Sequence, residues 1–181
     1  MTLPPPAPLD PAILERLRRG VPLRMTARGE LRFDEQPVTH PRVRRALREG
    51  LDVSDSGEPI VRLGQQWCYL TVDDCPLRAT AVTREGDRLQ MRLDDGRWVA
   101  LAVASVWSEP DRGLRSTAPS RHSGRALAVR FDNRAQMDLA PWLEIDDDDR
   151  VVLVLGEQRW VIPDALHEGE PAKDLYPHSP S

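Results

Sequence analysis

The feature that most constrains the fold is an internal repeat. The segment Val61–Trp67, Val-Arg-Leu-Gly-Gln-Gln-Trp, matches Leu153–Trp160, Leu-Val-Leu-Gly-Glu-Gln-Arg-Trp. Upstream of each, Leu31–Gln36 (Leu-Arg-Phe-Asp-Glu-Gln) matches Val129–Arg134 (Val-Arg-Phe-Asp-Asn-Arg). The Leu-Gly-x-Gln pattern alone is a common hairpin composition. Two matched segments in the same order are harder to obtain by chance, so they favour a duplication.

A helical stretch and an Asp-rich loop separate the matched segments in each half. Pro41 and Val43 are matched with Pro141 and Leu143, and the loop at residues 52–58 with the loop at 146–149. We therefore expect a chain built by duplication of one small unit. A cleft between two such units is a natural ligand site.

Local patterns predict short helices in a mainly β chain. Asp10 is a good N-cap for a helix with one apolar face, formed by Ile13, Leu14 and Leu17 and ended by Gly20. A second helix is expected at 41–49, ended by Gly50, with Val43, Ala46 and Leu47 directed inward. Arg28-Gly29 is typical of a hairpin turn. Turn residues between short apolar runs at 60–103 favour an antiparallel meander. The residues expected in the core are Phe33, Leu47, Val72, Leu77, Val99, Phe131, Leu139 and Trp160.

These patterns give an α+β, mostly β fold class with duplicated small β-rich units. Residues 10–107 are expected to form an N-terminal unit and 125–166 the C-terminal repeat. The polar residues 108–124 are the predicted loop and boundary between them. The proline-rich tails 1–9 and 167–181 are predicted to be disordered.

Composition limits the classes of function. The net charge of -4 argues against a dedicated nucleic-acid binder, which is normally basic. The first residues lack a secretory signal pattern, and no apolar run approaches the length of a membrane span. Two cysteines, Cys68 and Cys75, form neither a disulfide framework nor a zinc motif. We therefore expect a cytoplasmic protein without metal or cofactor, and we expect buried inert thiols, with a redox pair as the alternative.

Two acidic segments are candidates for chemistry. Asp73 and Asp74 precede Cys75-Pro76, and paired carboxylates can bind a metal or act as acid and base. A turn stabilised by aspartate and fixed by Pro76 is the structural alternative. The run at 146–149 lacks the glycine and alternating ligands of a calcium loop, so a solvated turn is favoured there.

Arginines beside aromatic residues are the candidates for ligand binding. Arg130 and Arg134 belong to the repeated Arg-Phe-Asp segment, and an arginine has the planar donors that a phosphate requires. Pairing with one of the many aspartates is the alternative. With Trp67, Trp160 and Asp74, these arginines are the predicted ligand-binding residues, at a groove between the repeats. The arginines of the second helix are expected to lie on a solvated face.

Several segments between Met25 and Ile162 resemble a bacterial family, domain of unknown function 1285. They include Arg28-Gly29, Pro37-Val38 and Gly57. Val72-Asp-Asp-Cys-Pro-Leu77 is similar to the family's Val-Glu-Asp-Ala-Pro-Phe signature. Asp94-Asp-Gly96 with Val99 is similar to its Thr-Asn-x-Gly-Asp-x-Val segment, and Leu127 to Leu139 to its arginine-rich strand and following helix.

The resemblance implies a domain duplication whose C-terminal half is superficially like a pleckstrin-homology fold. It also implies a nucleotide-like ligand at the interface and a role in signalling. The chain departs from the family where Leu63-Gly-Gln-Gln-Trp67 replaces a Thr-Pro-Val-Glu-Lys run. If that glutamate and lysine contact ligand in the family, this chain has lost them.

The sequence is compatible with three alternative functions. The first is a non-catalytic protein that binds a small anionic ligand such as a nucleotide, or that regulates. The second is a hydrolase or transferase acting through Asp73 and Asp74. The third is a protein-interaction module that uses strand edges.

Overall fold

The structure of the chain, a computed structural model, is described for residues 10–165. These residues form two compact units, an N-terminal unit ending at Asp74 and a C-terminal unit beginning at Cys75. Strands contain far more of the described residues than helices, so the predicted α+β, mostly β class is confirmed. The tails predicted at 1–9 and 167–181 lie outside the described residues.

The N-terminal unit combines short helices with two small sheets. Its elements are α1 (Pro11–Arg19), β1 (Leu23–Met25), β2 (Leu31–Phe33), β3 (Gln36–Pro37), α2 (Pro41–Glu49), β4 (Leu51–Val53), β5 (Pro59–Leu63), β6 (Gln66–Tyr69) and β7 (Thr71–Val72). One sheet has the order β3-β2-β1-β7, with β7 parallel to β1, and the other has the order β4-β5-β6. The predicted hairpin around Arg28-Gly29 is the antiparallel pair of β1 and β2.

The C-terminal unit is built on a six-stranded sheet. Its elements are β8 (Leu77–Glu85), β9 (Arg88–Leu93), β10 (Trp98–Ala100), β11 (Trp107–Glu109), β12 (Gly113–Pro119), β13 (Ala126–Phe131), α3 (Asn133–Leu139), β14 (Leu143–Ile145), β15 (Val151–Leu155) and β16 (Gln158–Val161). The large sheet has the order β10-β9-β8-β13-β12-β11, and a second sheet has the order β14-β15-β16. Two short 3₁₀ segments, Val103–Ser105 and Ala140–Trp142, complete the unit.

Helices α1 and α3 each begin at a capping aspartate. The Asp10 carboxylate accepts a 2.8 Å hydrogen bond from the N–H of Ala12, and the Asp132 carboxylate accepts one of 2.8 Å from Ala135. Each bond satisfies a backbone donor that the first helical turn leaves open. Gly20 and Gly50 follow the last residues of α1 and α2, so the predicted ends of both helices are confirmed.

One face of the six-stranded sheet packs into an apolar core. Along β13, Leu127, Val129 and Phe131 are buried, and the residues between them are only half-buried. Helix α3 packs against β8 and buries Leu139. The Asp138 carboxylate accepts a hydrogen bond of 3.2 Å from the N–H of Val82. Alternation along β13 thus gives the sheet one apolar and one more polar face.

The duplication is visible in the backbone. Adding 92 to a residue number in the first repeat, residues 40–70, gives its counterpart in the second repeat, residues 132–162. Helix α2 begins at Pro41, and α3 begins at the counterpart, Asn133. The strand pairs keep the same register, since Leu51 opposes Val61 as Leu143 opposes Leu153. Each repeat is a short helix followed by a three-stranded antiparallel sheet.

Equivalent backbone hydrogen bonds support this correspondence. The N–H of Ser54 donates to the carbonyl of Glu58 at 2.9 Å, as Asp146 donates to Arg150 at 3.0 Å. Leu70 donates to Pro59 at 3.0 Å, as Ile162 donates to Val151 at 2.8 Å. Both β-hairpins turn through a glycine with positive φ, +62° at Gly64 and +63° at Gly156. The repeated Leu-Gly-x-Gln pattern reflects this turn, because glycine adopts positive φ without strain.

The structural correspondence corrects four of the residue matches made from sequence. Trp67 corresponds to Arg159, and Trp160 to Cys68, because the hairpins align without a gap. Pro41 corresponds to Asn133 rather than to Pro141, and Val43 to Ala135 rather than to Leu143. Asp132 caps α3, and its counterpart at the cap of α2 is His40. Asp34 lies six residues before that cap, in a turn with φ of +48°.

Other differences concern strands and boundaries. The predicted meander at 60–103 is divided, because β5 and β6 belong to the first repeat and β8, β9 and β10 to the large sheet. The predicted loop at 108–124 contains β12, which pairs with β13 inside that sheet. The division between compact units therefore falls after Asp74, in contrast to the predicted 10–107 and 125–166.

The predicted core is correct only in part. Leu47, Leu77, Phe131 and Leu139 are buried, whereas Val72, Val99 and Trp160 are half-buried. Phe33 is 51% exposed because it ends a three-residue strand beside the turn at Asp34. Both helices bury less than expected. Ala46 and the larger apolar residues Ile13, Leu17 and Val43 are exposed.

Candidate functional site

The more polar face of the six-stranded sheet carries three arginines in register. Arg130 of β13 lies directly opposite Arg115 of β12 and Arg78 of β8. Directly opposed residues project from the same face of a sheet. We call Arg78, Arg115 and Arg130 the arginine row.

Arg115 is the anchored member of the row. It is 1% exposed and is among the largest fully buried side chains of the described residues. Its Nε and Nη2 donate to the Glu109 carboxylate at 3.0 and 2.5 Å, and its Nη1 donates to Cys75 Sγ at 2.8 Å. A buried guanidinium requires such partners, since an uncompensated buried charge is strongly destabilising.

Like charges directly opposite each other destabilise a sheet unless negative groups compensate them. Glu109 compensates Arg115, and the Asp94 carboxylate accepts a 3.2 Å hydrogen bond from the backbone N–H of Arg78. The three guanidinium groups nevertheless share one face over three adjacent strands. Guanidinium groups in this arrangement are donors of the kind that bind an anion.

Small side chains flank the row. Ala128 lies two residues before Arg130 on the same face, and Thr117 lies opposite Ala128. Both are half-buried, as are Arg78 and Arg130. Arg78 and Arg130 each keep part of their surface accessible beside these short side chains, although the Nε of Arg78 is buried. A small anion could therefore approach them.

The predicted ligand-binding residues of the C-terminal unit have different surroundings. Arg130 belongs to the arginine row. Arg134 lies on α3, with its side chain 79% exposed and its Nε 3.6 Å from the Asp138 carboxylate. Trp160 is half-buried in β16, opposite Leu153 of β15. Their role in ligand binding stays a prediction.

Trp67 lies in the N-terminal unit and is already in contact with a cation. The guanidinium carbon of Arg18 lies 3.9 Å from the centre of its ring. Tyr69 contacts the same ring edge-on, with 5.3 Å between the ring centres. Trp67 is therefore part of an arginine–aromatic cluster under α1.

The two acidic candidates have structural roles in their own units. Asp73 accepts a 2.8 Å hydrogen bond from Arg24, and its N–H donates to Met25 at 3.0 Å. Asp74 is the half-buried last residue of the N-terminal unit. In the turn at 146–149, Arg150 contacts the carboxylates of Asp146 and Asp148 at 2.8 Å each. These contacts agree with the turn interpretation of both segments.

Within residues 10–165, no three histidine, cysteine, aspartate or glutamate side chains cluster as a metal site. Cys68 and Cys75 are free thiols, and burial raises the pKa of Cys68. A surface groove of about 540 Å³ lies on the β8–β9 hairpin, lined by Thr83, Arg84, Glu85, Gln90 and Trp98. None of the five predicted site residues lines this groove.

Arg78, Arg115 and Glu109 were not found from the sequence. Arg115 lies in the segment that was predicted to be a loop, so its position opposite Arg130 was not foreseen. The alternation of Leu114, Ser116 and Ala118, all buried, is the pattern that would have revealed the strand. The pairing of β8 with β13 joins residues distant in sequence, which no local pattern indicates.

Comparison with known proteins shows that the fold of this chain is similar to that of two solved structures. No family model matches the chain, and no curated protein matches it in sequence. A DUF1285 family protein from Silicibacter pomeroyi DSS-3 has a similar structure, with 16% identity and a TM-score of 0.59 over 78% of this chain and 79% of that one. A DUF1285 family protein from Shewanella baltica OS155 has 13% identity and a TM-score of 0.50, over 63% and 86%. The expected resemblance is thus confirmed for the fold.

Among residues 10–165, no helix is both long and apolar enough to span a membrane.

Proposed function

We propose that the chain is a non-catalytic protein that binds a small anionic ligand through the arginine row, with a regulatory role. The supporting observation is the direct opposition of Arg130 to both Arg115 and Arg78. Guanidinium groups bind phosphate and carboxylate through paired, charge-assisted hydrogen bonds. A nucleotide is one such ligand, as the resemblance to the family implies.

The three arginines have distinct parts in this proposal. Arg115 is fixed by Glu109 and positions the row, while Arg130 and Arg78 are half-buried and provide donors to the ligand. Arg134 adds charge from α3. The hydrolase alternative is less favoured, since Asp73 is engaged by Arg24.

Thermal-shift measurements with phosphate, sulfate, carboxylates and nucleotides test the proposal. A ligand present at 100 times its dissociation constant should stabilise the protein by about 2.7 kcal/mol. Arg130→Ala should weaken its binding by tenfold or more, because a hydrogen bond to a charged group contributes about 1.5–3 kcal/mol. Arg130→Lys keeps the charge but loses the planar donors, and should be intermediate.

Arg92→Ala is the matched control, because Arg92 is an exposed arginine of β9 outside the row. Circular dichroism and the melting temperature without ligand establish that each variant is folded. The proposal is wrong if no anion raises the melting temperature, or if Arg130→Ala changes every measured affinity by less than twofold.

A further inference from the structure

Helix α1 is attached to the N-terminal unit by polar contacts rather than by an apolar core. None of its residues is buried, and Ile13 and Leu17 are 41% and 55% exposed. The helix packs on β6, which contributes Trp67 and Tyr69. Because these residues are two apart in a strand, their side chains lie on the same face of the sheet.

Arg19 contacts three groups that suit a guanidinium: Tyr69, Glu58 and, within its own helix, the Glu15 carboxylate, which accepts from its Nε at 3.0 Å. Its planar end stacks on Tyr69, with 3.9 Å from the guanidinium carbon to the ring centre. Its Nη1 and Nη2 donate to the two carboxylate oxygens of Glu58 at 2.8 Å each. Ser56 donates to the same carboxylate at 2.8 Å and helps to orient it. A stacked ring with a paired carboxylate recognises arginine rather than lysine.

Arg18, the neighbouring residue, stacks on Trp67 at the same distance of 3.9 Å. Two adjacent arginines of one helix turn thus stack on two adjacent aromatic rings. The interplanar angle of 71° between the rings gives each guanidinium a separate ring face. The surface formed by Glu58, Trp67 and Tyr69 is therefore matched to a pair of arginines, and we call it the arginine-pair site.

The second repeat indicates that the fold does not require these residues. At the positions of Glu58, Trp67 and Tyr69 it has Arg150, Arg159 and Val161. The same helix and three-stranded sheet form there with the same register. The scaffold of the repeat therefore forms without these aromatic and acidic groups.

The contacts between α1 and this surface are exposed. The side chains of Arg19 and Glu58 are 48% and 43% exposed, and exposed ion pairs are weak and screened by salt. A helix attached in this way exchanges readily with a competitor that offers the same chemistry. Its departure removes no fully buried side chain from the unit, because none of its residues is buried.

We propose that Glu58, Trp67 and Tyr69 form a binding site for two adjacent arginines of a basic polypeptide partner, and that α1 occupies this site within the chain. The site lies in the N-terminal unit and is independent of the arginine row. Helix α1 then acts as an internal competitor that sets the affinity for the partner.

Binding of a synthetic peptide to the full chain tests this proposal by calorimetry. The peptide has the sequence of residues 10–20, and a second peptide has lysine at the positions of Arg18 and Arg19. In the Arg18→Ala/Arg19→Ala variant the site is vacated, so the arginine peptide should bind at least tenfold more tightly than to the unsubstituted chain. The lysine peptide should bind at least tenfold more weakly, since it lacks the planar fork.

Arg16→Ala is the matched control, because Arg16 is exposed on the same helix and makes no ion pair among the described residues. It should leave peptide affinity unchanged. Adding Trp67→Ala or Glu58→Gln to the double variant should abolish the gain. Unchanged melting temperatures establish that each variant remains folded.

Hydrogen exchange provides a second readout that does not depend on any substitution. Excess arginine peptide should accelerate exchange of the α1 amides in the unsubstituted chain, because the peptide displaces the helix. Equal affinity of the arginine and lysine peptides would overturn the proposal. The proposal would also be wrong if the arginine peptide bound the double variant no more tightly than the unsubstituted chain. Unchanged hydrogen exchange of the α1 amides at saturating peptide would contradict it as well.

Discussion

The two Arg-Phe-Asp segments have the same residues in different environments. In the C-terminal unit Phe131 is fully buried, and Asp132 caps α3. In the N-terminal unit Phe33 is 51% exposed, and Asp34 lies in a turn. Sequence identity over three residues therefore does not imply the same structural role.

Phe131→Ala and Phe33→Ala form a matched pair at this scale. Truncating the buried ring should destabilise the protein by about 3–5 kcal/mol, since it removes apolar contacts and leaves a cavity. Truncating the exposed ring should cost less than about 1 kcal/mol. Urea unfolding monitored by circular dichroism measures both free energies of unfolding. Similar losses in the two variants would contradict the assigned environments.

Predictions for single residues were correct where the structure depends only on neighbours in sequence. Asp10, Gly20 and Gly50 were located correctly, because capping depends only on neighbours in sequence. Burial of Phe33 was predicted wrongly, since alternation gives the face of a strand but not how far the covering layer extends. The arginine row was missed because strand order depends on contacts distant in sequence.

At the scale of the element, α1 shows how an isolated helix can be held without a core. Its hydrogen-bonded and stacked arginines replace the apolar stripe that normally fixes a surface helix. The sequence predicted the helix correctly but assigned its apolar residues to the buried side. The aromatic partners in β6 reverse this preference, because they bind the arginines rather than Ile13 and Leu17.

The attachment of α1 should depend on pH through Glu58. Hydrogen bonding from Arg19, supported by Ser56, lowers the pKa of Glu58 from its ordinary 4.5 to about 2. A carboxylate with a lowered pKa stabilises the attached state above its ordinary pKa, and this stability is lost as the pH falls. Attachment of α1 should therefore be strongest above pH 4.5 and weaken progressively towards pH 2.

Amide chemical shifts of residues 11–19, followed by NMR from pH 6 to pH 2, measure this loss. Glu58→Gln should make α1 less attached at pH 6 and remove most of the change at lower pH. Core amides in the same spectra distinguish local release from acid unfolding. A wild-type pH response retained in Glu58→Gln would show that another group controls the helix.

At the scale of the molecule, the same arrangement of a helix and a three-stranded sheet occurs twice with different surface residues. The strand register and turn geometry correspond throughout residues 40–70 and 132–162. Leu47 and Leu139 are counterparts, and both are buried. The surface groups differ completely at Glu58 and Arg150. Sequence predicted the duplication because turns and core residues are constrained, whereas exposed residues are free to diverge.

Exchange of the equivalent loops between the two repeats tests whether the repeats have the same backbone structure. Replacing Ser54–Glu58, Ser-Asp-Ser-Gly-Glu, by Asp-Asp-Asp-Asp-Arg from residues 146–150 should preserve the fold. Aspartate already adopts positive φ at Asp149, the counterpart of Gly57, so the strain should cost about 1–2 kcal/mol. The new arginine would face Arg19 in place of Glu58, so α1 should detach.

Cooperative thermal unfolding measures whether the fold persists, and hydrogen exchange at residues 11–19 measures detachment. The reciprocal exchange, Ser-Asp-Ser-Gly-Glu at 146–150, is the control and should leave α1 protected, because Glu58 is retained. Loss of cooperative unfolding in both hybrids would refute the structural equivalence of the loops. Preservation of the fold with full protection of α1 in the first hybrid would instead refute the role of Glu58. Retained folding with selective release of α1 is the outcome expected if the repeats share a scaffold and differ in what they recognise.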